Sequence, residues 1–213
     1  MALDQSYEKR SKKENLILRV FKGHFATSHS HINYYIDVSA QKMRYSEASA
    51  LAKELASYYT HSTIIDTILC LDGMEVVGAC LAHELTHGGF ININAHQTVY
   101  VVTPERTTGS QLIFRDNILP MIAGKNVLIL AASVTTGFTA RAAIEAMQYY
   151  GGRVAGVCSI FASVDDCMGY PVYSVFDTKD LEGYASYTSN QCPLCKAGRK
   201  IDALVNGFGY SKL

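Results

Sequence analysis

The stretch at residues 127–147 reads VLILAASVTTGFTARAAIEAM, and its parsing decides the fold. The apolar run at 127–132 suits a strand buried on both faces. A tight turn follows, Ser133-Val134-Thr135-Thr136-Gly137, and then a helix with apolar positions at Ala140, Ala143, Ile144 and Met147. This order brings several backbone N–H groups and the positive end of a helix dipole to one point, the geometry that holds a phosphate. The same residues also suit a plain corner, with Thr as N-cap and Gly at the bend. The turn is neither a Walker A loop nor Gly-x-Gly-x-x-Gly.

Outward from this stretch, the chain alternates strands and helices. Residues 46–59 predict an amphipathic helix with Ser46 as N-cap and Leu51, Leu55 and Tyr58 on one face. A β-branched run at 64–71 predicts the first core strand, 76–87 a helix, and 97–102 a second strand. The polar connection at 103–115 contains Pro104 and Gly109, which discourage regular structure, and its length suits a lid. A helical turn is expected at 117–124, a buried strand at 154–161 and an edge strand at 172–176. Near the start, Leu16, Ile17, Val20 and Phe21 fit one face of a short docking helix, and Tyr34-Tyr35-Ile36 suits a strand. The pattern is α/β with a mainly parallel sheet. Three loops, at 71–74, 103–115 and 133–139, leave the carboxyl ends of its strands, where such sheets bind ligands.

Bulk properties narrow the class. The 213 residues are enough for one main core, and Lys+Arg and Asp+Glu are equal at 19 each, so no polyanion partner is indicated. The charged start lacks the apolar core of a signal peptide, and no apolar run reaches membrane-spanning length. Six cysteines with one close pair do not make a disulfide framework. The expectation is a cytoplasmic protein with no nucleic-acid or membrane partner. Its divisions are a hood segment and helix at 1–60, a core at 61–177 and a tail at 178–213.

The central stretch resembles the phosphoribosyl-pyrophosphate motif of type I phosphoribosyltransferases: four apolar residues, two acidic residues, two more, then Thr-Thr-Gly-x-Thr. Thr135, Thr136, Gly137 and Thr139 match the part that cradles the 5′-phosphate, so the resemblance assigns residues Ser133, Val134, Thr135, Thr136, Gly137, Phe138 and Thr139 to phosphate binding. The acidic pair, which holds the ribose hydroxyls in the family, is replaced by Ala131 and Ala132. An alanine offers neither acceptor nor charge. Residues 25–37 resemble the start of orotate phosphoribosyltransferases through Phe25, Ser28, Tyr34, Tyr35 and Asp37. His29 stands where a glycine is usual and Thr27 where a lysine is.

The resemblance implies a three-layer α/β/α fold with a small N-terminal hood, Tyr34 and Tyr35 near the base, and a pyrophosphate loop at Leu71-Asp72-Gly73-Met74. It also implies a cationic lid, here reduced to Arg106 and Arg115 with no Lys or His between residues 103 and 115. The arginine that meets the orotate carboxylate is absent, the strand ending in Phe161, Ala162 and Ser163. Mg²⁺ and a homodimer are implied with the family, as is a place in pyrimidine nucleotide synthesis as a glycosyltransferase. Three functions are consistent with these residues. One is transfer of a phosphoribosyl group to a base; the second is non-catalytic sensing of a nucleotide or phosphoribosyl ligand; the third is a structural partner that kept only the fold. The missing acidic pair favours the second over a standard enzyme, and the intact Thr-Thr-Gly-x-Thr turn disfavours the third.

In the tail, Cys192-Pro193-Leu194-Cys195 is half of a zinc knuckle or a redox pair. Cys158 and Cys167 are candidates to complete a zinc site; otherwise the pair is a reduced, metal-free turn. His24, His29 and His31 read as part of a polar loop, and Cys70 and Cys80 as core.

Overall fold

The computed structural model describes residues 6–10, 16–87, 92–95, 98–108 and 111–213. Gln97 and Gly109 lie outside these, as does much of the charged stretch before residue 16. Strands β1 (Ser6–Arg10), β2 (Ile17–Ala26) and β3 (His31–Asp37) precede helices α1 (Ser39–Met43) and α2 (Tyr45–Ala56). Next come β4 (Thr67–Cys70), α3 (Glu75–Thr86), β5 (Tyr100–Val102), β6 (Glu105–Arg106) and β7 (Leu112–Ile113). The chain continues with β8 (Asn126–Val134), α4 (Phe138–Tyr149), β9 (Arg153–Ala162), β10 (Asp166–Cys167) and β11 (Tyr170–Asp177). It finishes with β12 (Ser186–Tyr187), α5 (Pro193–Lys196), β13 (Ala203–Asn206) and β14 (Gly209–Lys212).

The main sheet runs β5-β4-β8-β9-β11, all parallel, with β10 added antiparallel at one edge. In chain order its five parallel strands lie second, first, third, fourth, fifth. The order therefore switches between β4 and β8, where ligand crevices open in such sheets. Strand β8 is buried on both faces, and its side chains alternate. Val127, Ile129 and Ala131 pack with Ala140, Ala143, Ile144 and Met147 of α4. Leu128, Leu130 and Ala132 pack with Leu51 and Leu55 of α2 and Val77 and Leu81 of α3. These are the expected three layers, and the four apolar positions read from the sequence are the four buried residues of α4.

Several local expectations are corrected. Leu16, Ile17, Val20 and Phe21 do not form a helix: 17–21 pairs with β1 and 19–21 also with β3, and Leu16, Leu18 and Val20 alternate into the core. A short apolar run fits either period, and long-range pairing settles it. Ser46 is not a cap, because α2 begins at Tyr45 with Arg44 at the cap position and no side-chain cap bond. Val134 closes β8 and is not part of the turn. The connection at 103–115 holds a small antiparallel hairpin, β6 with β7.

The hood is a second sheet, β12-β3-β2-β13-β14, with β1 also on β2. Residues 178–213 thus share a sheet with residues from the first sixty. Their joint core is Phe25, Ile32, Tyr35, Ala203 and Val205.

Candidate functional site

A cavity of about 330 Å³ opens at the carboxyl ends of the main sheet, between it and the hood. The end of β8 contributes Ser133, the turn and helix start after it Thr135, Thr136, Phe138 and Thr139; the corner after β4 contributes Asp72; the 103–115 hairpin contributes Arg106. From the hood come Tyr34 and Tyr35, and from the β13–β14 hairpin Asn206, Gly207 and Phe208.

Gly137 stands at the N-cap of α4 with φ 73° and ψ −1°, the left-handed region that favours glycine. No side chain caps this helix, so the N–H groups of its first turn lack a side-chain partner at the cavity wall. The turn is braced from behind: the Ser163 N–H donates to the Val134 carbonyl and the Ser163 hydroxyl to that of Thr135, both at 2.9 Å. On the hood side the His29 ring lies 4.1 Å from the Phe138 ring.

At the corner after β4, Asp72 (φ 54°) and Gly73 (φ 77°) are both left-handed, while Leu71 and Met74 are core residues facing away from the cavity. The Asp72 carboxylate lies 3.5 Å from the Arg106 guanidinium, and the nearby Ala132 backbone N–H favours its charged form. Ala131 and Ala132 are themselves buried, one in each core layer. Asp72, one strand over, is the carboxylate that lies beside this end of β8 and lines the cavity. Burial pushes the Asp72 carboxyl above its ordinary value, with Arg106 and then Lys42 opposing.

The sign for stability follows from linkage. A carboxyl whose folded pKa is raised stabilises fully below its unfolded value, about 3.9, and loses that contribution as pH rises through the folded value. Asp72→Asn is expected to raise the melting temperature at neutral pH, with the gain gone near about pH 3. Thermal unfolding at both pH values checks this; a lower melting temperature at neutral pH would refute it.

Lys42 and the β13–β14 hairpin are functional candidates that sequence reasoning missed. Lys42 is buried and its ammonium donates to the Asp72 carbonyl at 2.6 Å and the Gly207 carbonyl at 2.5 Å. Burial lowers its pKa, which Asp72, Glu75 and Asp37 oppose. Gly207 sits so close to the corner that a Cβ there would lie 2.7 Å from that of Asp72. The Asn-Gly pair at 206–207 is a hairpin signal that points to this turn. No comparable signal marks Lys42, whose partners are backbone carbonyls from distant segments.

Tyr34 and Tyr35 face opposite sides of β3. The Tyr34 hydroxyl donates to the Glu182 carbonyl at 2.8 Å, and Tyr35 packs against Phe25 and Tyr210. Burial, with Asp37 and Tyr210, raises the Tyr35 pKa. Of the two lid arginines Arg115 is not brought to the cavity; it forms a bidentate pair with Glu105 in the exposed hairpin. Cys192 and Cys195 lie outside the cavity lining, beside His24 and His31 on paired strands β2 and β3. The expected partners are elsewhere: Cys158 is in the sheet core, and the Cys167 thiol lies 3.8 Å from the Gly137 carbonyl. The polar-loop reading of the histidines holds in position for His29 alone, between the two strands.

No family model matches the chain. It is 31% identical over 185 residues to the orotate phosphoribosyltransferase of Chlorobaculum parvum, covering 85% of this chain and 86% of that one. It is 26% identical over 192 residues to the enzyme of that name from Chlorobium phaeobacteroides, covering 86% and 88%. Among solved structures, orotate phosphoribosyltransferase of Mycobacterium tuberculosis H37Rv superposes with a TM-score of 0.53 at 19% identity, over 78% of this chain and 93% of that one. Leishmania donovani UMP synthase superposes with 0.55 at 20% identity, over 76% and 34%. The structural likenesses establish the fold. Among the described residues no helix is long and apolar enough to cross a membrane.

Proposed function

The chain belongs to the orotate phosphoribosyltransferase family, and from that we propose that its cavity binds a ligand carrying a ribose 5-phosphate. Phosphoribosyl pyrophosphate or a nucleotide fits that description. The observation that carries the reading is the left-handed glycine at the uncapped start of α4, whose neighbours Thr135, Thr136 and Thr139 line the cavity. The phosphate would sit on these N–H groups and hydroxyls, with the base toward Tyr34 and Tyr35. A second reading, sensing a ligand rather than transferring its ribose, is favoured by Ala131 and Ala132. Neither alanine offers a ribose hydroxyl a side-chain acceptor.

Mg²⁺ is implied by the family, and the residues present are a poor match for it. Among the described lining residues Asp72 is the one carboxylate, and Arg106 already pairs with it. We therefore assign no step to a protein-held magnesium ion; a ligand's own phosphates would supply its coordination.

The test is a thermal-shift series with phosphoribosyl pyrophosphate, ribose 5-phosphate and nucleoside monophosphates. At a hundred times Kd a ligand adds about 2.7 kcal/mol, and about 2–4 °C per kcal/mol applies at this chain length, so a shift of about 5–10 °C is expected. Gly137→Val forces a β-branched residue into the left-handed region and is expected to abolish the shift while the protein still unfolds cooperatively. A shift that survives this substitution removes the phosphate from the turn.

A further inference from the structure

We propose that His24, His31, Cys192 and Cys195 bind one zinc ion, in a structural site that fastens the chain after residue 192 to the N-terminal strands. Their four ligand atoms lie within 4.8 Å of one another, and His24 and Cys192 are fully buried. The inference is independent of what the cavity binds.

Tautomer logic comes first. His24 Nδ1 faces only carbonyls, of Arg199 at 2.9 Å and Lys200 at 3.2 Å, and carbonyls only accept. Nδ1 therefore carries the proton, and Nε2 presents a bare lone pair. That lone pair faces His31 Nδ1 at 3.2 Å, Cys192 Sγ at 3.5 Å and Cys195 Sγ at 3.6 Å. One lone pair cannot accept from all three groups at once, although Cys195 also reaches His31 Nδ1 at 3.2 Å. A cation at its centre uses all four donors. The bond from Nδ1–H to a backbone carbonyl is also the outer-shell contact that orients metal-bound histidines.

The distances have the right size. Zn–N bonds of about 2.05 Å and Zn–S bonds of about 2.3 Å, arranged tetrahedrally, give edges of about 3.3 Å for N···N and about 3.6 Å for N···S. The N···N separation is 3.2 Å, and three of the four N···S separations are 3.2, 3.5 and 3.6 Å. Two imidazoles and two thiolates in tetrahedral array suit zinc, and the thiolates balance its charge. Four protein ligands leave no open position, so the site is structural. Cys192 stands at the N-cap of the short helix α5, with Pro193 at its start, which places both sulfurs on one side of the turn. The linked segment leads into β13 and β14, whose tip lies on the cavity, so the ion would hold the hood closed.

The full chain, purified under thiol reductant without chelator, is expected to hold about one zinc per chain after dialysis. Cys192→Ser with Cys195→Ser is expected to lower this at least tenfold, whereas Cys80→Ser, outside the cluster, keeps it. Because the double variant can fail to fold, the unaltered protein is also loaded with Co²⁺ after zinc removal. Intense visible bands of tetrahedral cobalt and thiolate charge-transfer absorption are expected. Protein without zinc that gives no such spectrum would overturn the proposal. So would zinc retained by the double variant, or a Cys192–Cys195 disulfide in protein kept reduced.

Discussion

Orotidine monophosphate formation from orotate, phosphoribosyl pyrophosphate and Mg²⁺ is expected to run below about 0.1 per second. A phosphoribosyl transfer builds positive charge on the ribose, and the ring must be held while pyrophosphate leaves. Charge-assisted hydrogen bonds from an acidic pair are worth about 1.5–3 kcal/mol each. Without those two bonds the rate falls by about two to four decades from an ordinary turnover of about 10 per second. Any residual rate is expected to depend on Asp72, the carboxylate that reaches the same end of β8. Initial rates for the unaltered protein and for Asp72→Asn check both statements. Turnover of about one per second or faster would show that the ribose is held in another way. Restoring the pair by Ala131→Glu with Ala132→Asp is expected to tighten phosphoribosyl-pyrophosphate binding. Both positions pack into core layers, so cooperative unfolding of that variant has to be shown beside its affinity.

Lys42→Met is expected to destabilise the protein by about 2–4 kcal/mol, read as a fall of about 5–15 °C in melting temperature. Methionine keeps much of the volume and removes the charged donor, orphaning the Asp72 and Gly207 carbonyls. Relief from burying an ammonium offsets part of this cost. The same substitution is expected to weaken any ligand that shifts the melting temperature, because the corner at Asp72 and the hairpin tip at Gly207 lose their common anchor. A change within about 0.5 kcal/mol, the range of ordinary surface substitutions, would show that the two carbonyls are satisfied without Lys42.

What the sequence disclosed and what it hid divide by distance along the chain. The strand, turn and helix at 127–147 are contiguous, so alternation on β8, Gly137 at the bend and the apolar stripe of α4 were all readable from neighbours. The same holds for the corner at Asp72-Gly73. The hood was hidden because β2 finds its partner β13 across 178 residues, and a five-residue apolar run cannot declare its own period. His24 and His31 meet Cys192 and Cys195 only through that pairing, so no spacing rule for metal ligands could join them. The β13–β14 hairpin lay between these cases. Its Asn206-Gly207 pair, leading from the strand into the turn, and the alternating burial of Ala203 and Val205 were local signals.

That long pairing also sets a timetable for synthesis. At about 5–20 residues per second, roughly 10–35 seconds separate the emergence of Phe25 from that of Ala203 beside it. The main sheet is complete by residue 177 and can pack meanwhile, its strands being close in sequence. Strand β2 has no such option over its second half. Until Ala203 and Leu204 emerge, its backbone at Phe25 and Ala26 is an unpaired edge beside apolar side chains. Such an edge invites pairing with another nascent chain. The closing of the cavity and the end of that exposure are one event in the life of the polypeptide.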